Sequence, residues 1–154
     1  MAPLLTACSG FLLAVVWMDL IFDSQVRAHR GGDELPEAVL ASIAAYYHRA
    51  TTTSRPMSRL IAAVMLILLG GLVVASLVGQ RPGWALAAAA LLGCGPIVLA
   101  ALRTVPNAVR LGSRAGSRAE QTTRARSIYR DHVVCFASML AFLVIWLGCP
   151  GVGR

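Results

Sequence analysis

The 154-residue sequence predicts an all-α integral membrane protein, an antiparallel bundle of four transmembrane helices with one extra amphipathic helix at the cytoplasmic interface. Three observations predict this fold class: the composition, four long apolar runs, and the placement of the arginines. Hydrophobic residues make up 57% of the chain and charged residues only 14%, against about 25% charged residues in a soluble domain. The mean hydropathy of +0.69 also excludes an ordinary soluble domain.

Four runs are long enough to cross a bilayer, because about 20 helical residues span a hydrocarbon core of about 30 Å. The second and third runs contain no charge, the first contains Asp19, and the fourth is short. They form one transmembrane domain, 1–154, with spans at about 3–22, 60–79, 84–102 and 133–148.

The arginines predict the orientation of the chain. All 14 basic side chains are arginine, and all but Arg81 and Arg154 lie in the two long connections between spans. Positively charged connections stay in the cytoplasm. We therefore expect a multi-pass protein of the bacterial inner (plasma) membrane, with both termini outside. This topology accounts for the basic pI, so we expect no nucleic-acid partner.

The first connection contains a further helix at about 36–51, which we expect to lie in the inner headgroup layer or across the cytoplasmic mouth of the bundle. Its apolar side chains recur at helical spacing on one face. These are Val39, Leu40, Ile43, Tyr46, Tyr47 and Ala50. The second long connection breaks at 112–117, and helices continue on both sides of the break, with Glu120 and Arg124 paired four residues apart.

Polar side chains form stripes at the inner end of three spans and predict a recessed, cytoplasm-facing pocket for a lipid-soluble or anionic ligand. Charges at this depth are costly and tend to face a partner or a cavity. The candidate catalytic residues, which would move a proton, are Asp19 and His132. The candidate ligand-binding residues are Asp23, Arg103, Asn107, Arg110 and Arg130, because guanidinium groups clamp carboxylates or phosphates.

The alternative interpretation is purely structural. Asp19 or Asp23 would then pair with Arg103 or Arg110 and join the helices without any ligand. We expect no cofactor and no metal: only His132 approaches the bundle as a haem ligand, and Glu-x-x-His pairs for a di-iron site are absent from the sequence. The pattern leaves open whether Cys8 and Cys149 form a disulfide.

Two segments resemble the anthrone-oxygenase-like class of small membrane proteins. They are the first connection, YYHRATTTSRPMSRL, and the end of the third span, RTVPNAVRLG, followed by a fourth span headed by Arg130 and His132. The resemblance covers about the last third of the chain and centres on Pro106 and Asn107. It implies that the Asn, Arg and His positions line a site for a polycyclic aromatic substrate without an obvious metal or flavin. The acidic segment 17–23 is not typical of that class.

Two functions follow from these patterns. The first is a small inner-membrane protein of unknown molecular activity whose polar pocket binds a lipid-soluble or anionic ligand. An oxygenase-like enzyme is one version of this function. The second is a non-catalytic accessory or scaffold subunit whose basic face binds anionic lipid or a larger membrane complex. The expected partners are membrane lipids, an amphiphilic small molecule, and either a second copy of the chain or a larger complex.

Overall fold

The computed structural model describes residues 2–79 and 81–149, which form five helices and no strand. The helices are α1 (Ala2–His29), α2 (Glu37–Thr52), α3 (Arg55–Val78), α4 (Gly83–Gly112) and α5 (Arg118–Gly148). Within the described residues, α1, α3, α4 and α5 are long and apolar enough to cross a membrane. Arg154, to which the orientation argument assigned an outer position, lies outside the described residues.

The long helices continue beyond the apolar spans. The last turns of α1, Ser24–His29, tighten into a 3-10 helix. In α4 the segment Ala100–Thr104 is a π-helix that ends two residues before Pro106. Since a proline has no N–H for the carbonyl four residues earlier, a local π-turn lets the helix continue past it. Helix α4 therefore includes Arg103 and Thr104 and continues to Gly112.

Two apolar clusters hold the helices together. The first lies among the four long helices and includes the fully buried Leu5, Leu68, Ala89 and Phe142. The second cluster joins α2 to the neighbouring ends of α1, α4 and α5. It contains Leu40, Ile43, Leu111 and Ile128, all fully buried. We call this end of the bundle the α2 end.

Most of the predicted apolar face of α2 is covered by the other helices. Leu40, Ile43 and Tyr47 are buried, and Val39 and Tyr46 pack against the same cluster. Helix α2 begins at Glu37 and ends at Thr52, close to the predicted range 36–51. It packs on the ends of the long helices, which corresponds to the second of its two predicted positions, across one mouth of the bundle.

Helix α5 begins with a capping box: Glu120 N donates to Ser117 Oγ, and Ser117 N donates to the Glu120 carboxylate. The predicted pair between Glu120 and Arg124 is present, with 3.8 Å between its charged atoms. The side chains of Arg118 and Arg126 reach backbone carbonyls of the connection before α2, at Leu35 and Gly32. The start of α5 thus fixes the path of that connection.

All four cysteines, Cys8, Cys94, Cys135 and Cys149, are free thiols. No disulfide therefore joins Cys8 in the first helix to Cys149, which follows the last. Arg81, in the turn between α3 and α4, instead contacts the end of α5. Its guanidinium lies 3.8 Å from the centre of the Trp146 ring and donates to the Trp146 carbonyl at 2.9 Å. Cation–π contact and hydrogen bond act together here.

Helices α2 and α4 lie in close contact at Gly112. A Cβ atom built at this position would lie 2.8 Å from the backbone nitrogen of His48 and 3.0 Å from the carbonyl carbon of Tyr47. These neighbours are backbone atoms, which cannot rotate away as a side chain can. The absence of a side chain at Gly112 therefore sets how closely α2 packs on α4.

We expect Gly112→Ala to lower the free energy of unfolding by about 2 kcal/mol, because the added methyl group must push α2 away from α4. Unfolding in mixed micelles with increasing dodecyl sulfate measures this loss. The matched control is Gly70→Ala, where no atom lies within 4 Å of the added Cβ. This control should be neutral or slightly stabilising, because alanine favours helix over glycine. Equal effects of both substitutions would contradict the close α2–α4 contact.

Candidate functional site

His132 of α5 lies between the two carboxylates of α1. Its Nδ1 is 2.6 Å from Asp23 Oδ2, and its Nε2 is 3.8 Å from Asp19 Oδ2. Asp19 and Asp23 are four residues apart, so both side chains point from α1 toward the same part of α5. The Asp23–His132 contact is a hydrogen bond in which Nδ1–H donates, because a carboxylate can only accept.

Two tyrosines of α2 complete this cluster. Tyr46 donates its hydroxyl hydrogen to Asp19 Oδ1 at 2.5 Å, and Tyr47 donates to Asp23 Oδ1 at 2.7 Å. Adjacent tyrosines of one helix thus bind carboxylates that lie one turn apart on another helix. We call Asp19, Asp23, Tyr46, Tyr47 and His132 the Asp–His–Tyr cluster.

The surroundings keep both tyrosine hydroxyls protonated. Burial raises the pKa of Tyr47 well above its ordinary value, and the nearby carboxylates of Asp23 and Asp19 raise it further. Burial also raises the pKa of Tyr46, and the nearby negative charge of Asp19 raises this pKa further. Both groups therefore remain hydrogen-bond donors at any physiological pH.

The cluster is nearly enclosed. Asp23 exposes 1% of its surface and His132 exposes 8%. The Asp19 side chain is the most open of the acidic members, at 19%. Since a buried charge is tolerated only when hydrogen bonds or an opposite charge offset the loss of water, the cluster joins α1, α2 and α5 in one mutually dependent arrangement.

A second polar group lies on the neighbouring side of α5. Asp131 Oδ2 is 3.3 Å from Arg103 Nε and accepts a hydrogen bond from Thr104 Oγ1 at 3.4 Å. The Arg103 guanidinium also donates to Ser127 Oγ, at 2.9 Å from Nη2. Asp131 exposes only 4% of its surface, whereas half of the Arg103 side chain is exposed. This group connects α4 to α5.

The predicted pairing of Asp19 or Asp23 with Arg103 or Arg110 is wrong. The acids of α1 bind His132 and the two tyrosines, and Arg103 binds Asp131. The physical reason is that α5 contacts both α1 and α4 and supplies the partner for each.

The structure brings only some of the predicted site residues together. Asp19, Asp23 and His132 form one cluster, while Arg103 belongs to the second polar group. Among the described residues, no side-chain hydrogen bond or ion pair joins Asn107, Arg110 or Arg130 to either group. Arg110 and Arg130 are exposed, and Asn107 is partly buried. A common pocket of all seven residues is therefore not evident in the described part of the chain.

Sequence reasoning missed the two tyrosines, Thr104 and Ser127 as members of the polar groups. Tyr46 and Tyr47 were assigned to the apolar face of α2, where their rings do pack: Tyr46 stacks on Phe22 at 4.1 Å between ring centres. The available signal was that buried tyrosines need a partner for the hydroxyl group. Two adjacent tyrosines on a covered face therefore predict two acceptors nearby.

The Asp–His–Tyr cluster has the parts of a proton-transfer site. Asp23 orients the imidazole through Nδ1, and Nε2 has no hydrogen-bond partner within the described residues. Within those residues, no group of three His, Cys, Asp or Glu side chains is arranged to hold a metal ion. Comparison of the chain with protein-family models, with curated proteins and with solved structures found no match.

Proposed function

We propose that this protein is a small membrane protein whose Asp–His–Tyr cluster binds a lipid-soluble or anionic ligand and exchanges a proton with it. His132 Nε2 is the atom that gives or takes the proton. Asp23 and Tyr47 hold the imidazole in place, and Asp19 with Tyr46 forms the opposite wall. An oxygenase-like reaction, which the resemblance implies, is one chemistry that such a base serves.

One observation supports this proposal most directly. Asp23 holds one ring nitrogen of His132 at 2.6 Å, but the other nitrogen faces Asp19 across 3.8 Å, which is too long for a hydrogen bond. A cluster that only joined helices would be expected to use both nitrogens. Ionisable groups inside a membrane span are also costly, which favours a functional role for them.

The proposed location is the bacterial inner membrane, with the α2 end of an antiparallel bundle in the cytoplasm. The distribution of arginines supports this orientation. Labelling with a membrane-impermeant thiol reagent tests it. Cysteines introduced at Gly32 and Ala115 should react only in inverted vesicles, whereas one at Gly83 should react in intact spheroplasts. The reverse pattern would overturn the orientation.

A second candidate function, a non-catalytic accessory or scaffold subunit, is favoured by the second polar group. Arg103 is engaged by Asp131 and Ser127, so it is not free to clamp an anionic ligand. In this case both polar groups would only fix the helices, and the exposed arginines at the α2 end would bind anionic lipid or another membrane protein.

Native mass spectrometry of gently extracted protein tests the proposed function. We expect a bound small molecule, distinct from bulk phospholipid, that is lost in His132→Gln and retained in His48→Gln. Glutamine at 132 can still donate to Asp23, so the variant keeps the helix contact and removes the base. His48 is exposed and serves as the matched control. Identical spectra for both variants would contradict the proposal and favour the scaffold function.

A further inference from the structure

A groove lies on the surface of the bundle, where α1 contacts α5. The groove has a volume of about 550 Å³ and runs along this contact. Its apolar walls are formed by Trp17, Leu20 and Ile21 from α1 and by Val133 and Phe136 from α5. Trp17, Ile21 and Val133 are 55%, 51% and 43% exposed, so the groove opens to the surroundings of the bundle. No residue of the Asp–His–Tyr cluster lines it.

The groove is apolar at one end and polar at the other. Trp17 and Phe136, with ring centres 5.7 Å apart, form the apolar end. Arg27 and Tyr129 line the other end, near the α2 end of the bundle. From Trp17 to Arg27 the helix rises about 15 Å, roughly half of a hydrocarbon core of about 30 Å. The groove thus has the length of one lipid leaflet.

Three polar side chains line the groove: Ser24, which donates to the Ile21 carbonyl at 2.8 Å, and Arg27 and Tyr129. Within the described residues, neither the Arg27 guanidinium nor the Tyr129 hydroxyl makes a side-chain hydrogen bond or an ion pair. The polar end of the groove therefore offers one positive charge and several N–H and O–H donors, with no carboxylate among the lining residues. This arrangement is complementary to an anionic group that carries several acceptor oxygens, such as a phosphate.

We infer that this groove is a binding site for one molecule of an anionic phospholipid. The phosphate binds Arg27 and Tyr129, and an acyl chain lies along Ile21 and Val133 toward Trp17 and Phe136. The charge and the one-leaflet length select this occupant over a second copy of the chain or a helix of another protein, because neither of those requires an anion at only one end. The inference is independent of the proposed proton-transfer site.

Quenching of tryptophan fluorescence by brominated lipid tests this inference. The protein is reconstituted in phosphatidylcholine vesicles that contain a minor fraction of lipid brominated on its acyl chains, either phosphatidylglycerol or phosphatidylcholine. Subtracting the signal of Trp17→Phe isolates the emission of Trp17 from that of the other tryptophans. We expect roughly a fivefold excess of phosphatidylglycerol over phosphatidylcholine beside Trp17, as one arginine contact with an anionic lipid provides.

Three variants show whether Arg27 causes the preference, and two of them, Arg27→Gln and Arg55→Gln, have the same net charge. Arg27→Gln should abolish the excess, Arg27→Lys should keep most of it, and Arg55→Gln should leave it unchanged. Arg55 is an exposed arginine at the start of α3, so Arg55→Gln removes the same charge at a position outside the groove. Equal quenching by both lipids, or an excess that persists in Arg27→Gln, would overturn the inference. Absence of quenching by either lipid would show that protein covers the groove and would overturn it as well.

Discussion

Replacing Asp23 by alanine should lower the free energy of unfolding by about 4 kcal/mol, the largest loss that we expect from a single polar side chain. Asp23 exposes 1% of its surface and accepts hydrogen bonds from both Tyr47 and His132. Its removal leaves two buried donors on two different helices without an acceptor. Unfolding with dodecyl sulfate in detergent micelles, followed by circular dichroism, measures the change.

The matched control is Asp33→Ala in the connection before α2. Asp33 is exposed, and its backbone carbonyl accepts a hydrogen bond from Arg126, while its side chain makes no hydrogen bond or ion pair to any described residue. The substitution should change the free energy of unfolding by less than about 0.5 kcal/mol. If both variants lost the same stability, Asp23 would not be the buried acceptor that joins α1, α2 and α5.

Phe142→Ala should cost about 3 kcal/mol, through loss of packing among the long helices. Phe142 is fully buried and stacks on Trp146, with ring centres 5.7 Å apart. It also lies close to Gly93 of α4, where a Cβ atom would be 3.6 Å from its ring. Inside a bilayer such packing contacts, rather than the exclusion of water, hold helices together. The same unfolding assay measures the loss.

Leu147→Ala on the same helix provides the comparison. Leu147 is 61% exposed, so its truncation removes few contacts within the protein. We expect a loss below about 1 kcal/mol. A loss as large as that of Phe142→Ala would mean that the outer face of α5 is covered, for example by a second copy of the chain.

The four apolar helices and the residue range of α2 could be predicted from sequence, because hydropathy and helical spacing are local properties, whereas the sequence left two positions open for α2. The helical continuation of α4 as far as the break at 112–117 was also predicted and is confirmed, since α4 ends at Gly112. The end of α1 was not predicted: its apolar run stops before Asp23, so the predicted span ended at 22, whereas α1 continues to His29. Alanine, glutamine and arginine are good helix formers, and a π-turn accommodates Pro106.

The candidate site shows a different limit. Spacing placed Asp19 and Asp23 on one face of α1 and His132 at the same depth, and these three residues do meet. Spacing could not choose their partners, which depend on how each helix is rotated. Neighbouring residues of a helix point about 100° apart. Asp131 therefore faces Arg103 of α4, while His132 faces α1.

The two polar groups also differ in what they leave available. In the second group, Arg103 is engaged by both Asp131 and Ser127. In the Asp–His–Tyr cluster, every carboxylate has a donor, but no described residue places an acceptor or a donor within hydrogen-bond distance of His132 Nε2. This difference is the reason for placing the proposed proton transfer at His132 rather than at Arg103.

Acylation of the protein in bilayers by diethyl pyrocarbonate tests the central claim most directly, because this reagent modifies an imidazole nitrogen that is free and reachable. Peptide mapping by mass spectrometry compares His132 with the exposed His48 in the same sample. We predict that His132 is acylated in the folded protein, more slowly than His48 but measurably. Modification of His132 only after unfolding in dodecyl sulfate, with His48 modified throughout, would show a closed structural cluster and contradict the proposed proton-transfer site.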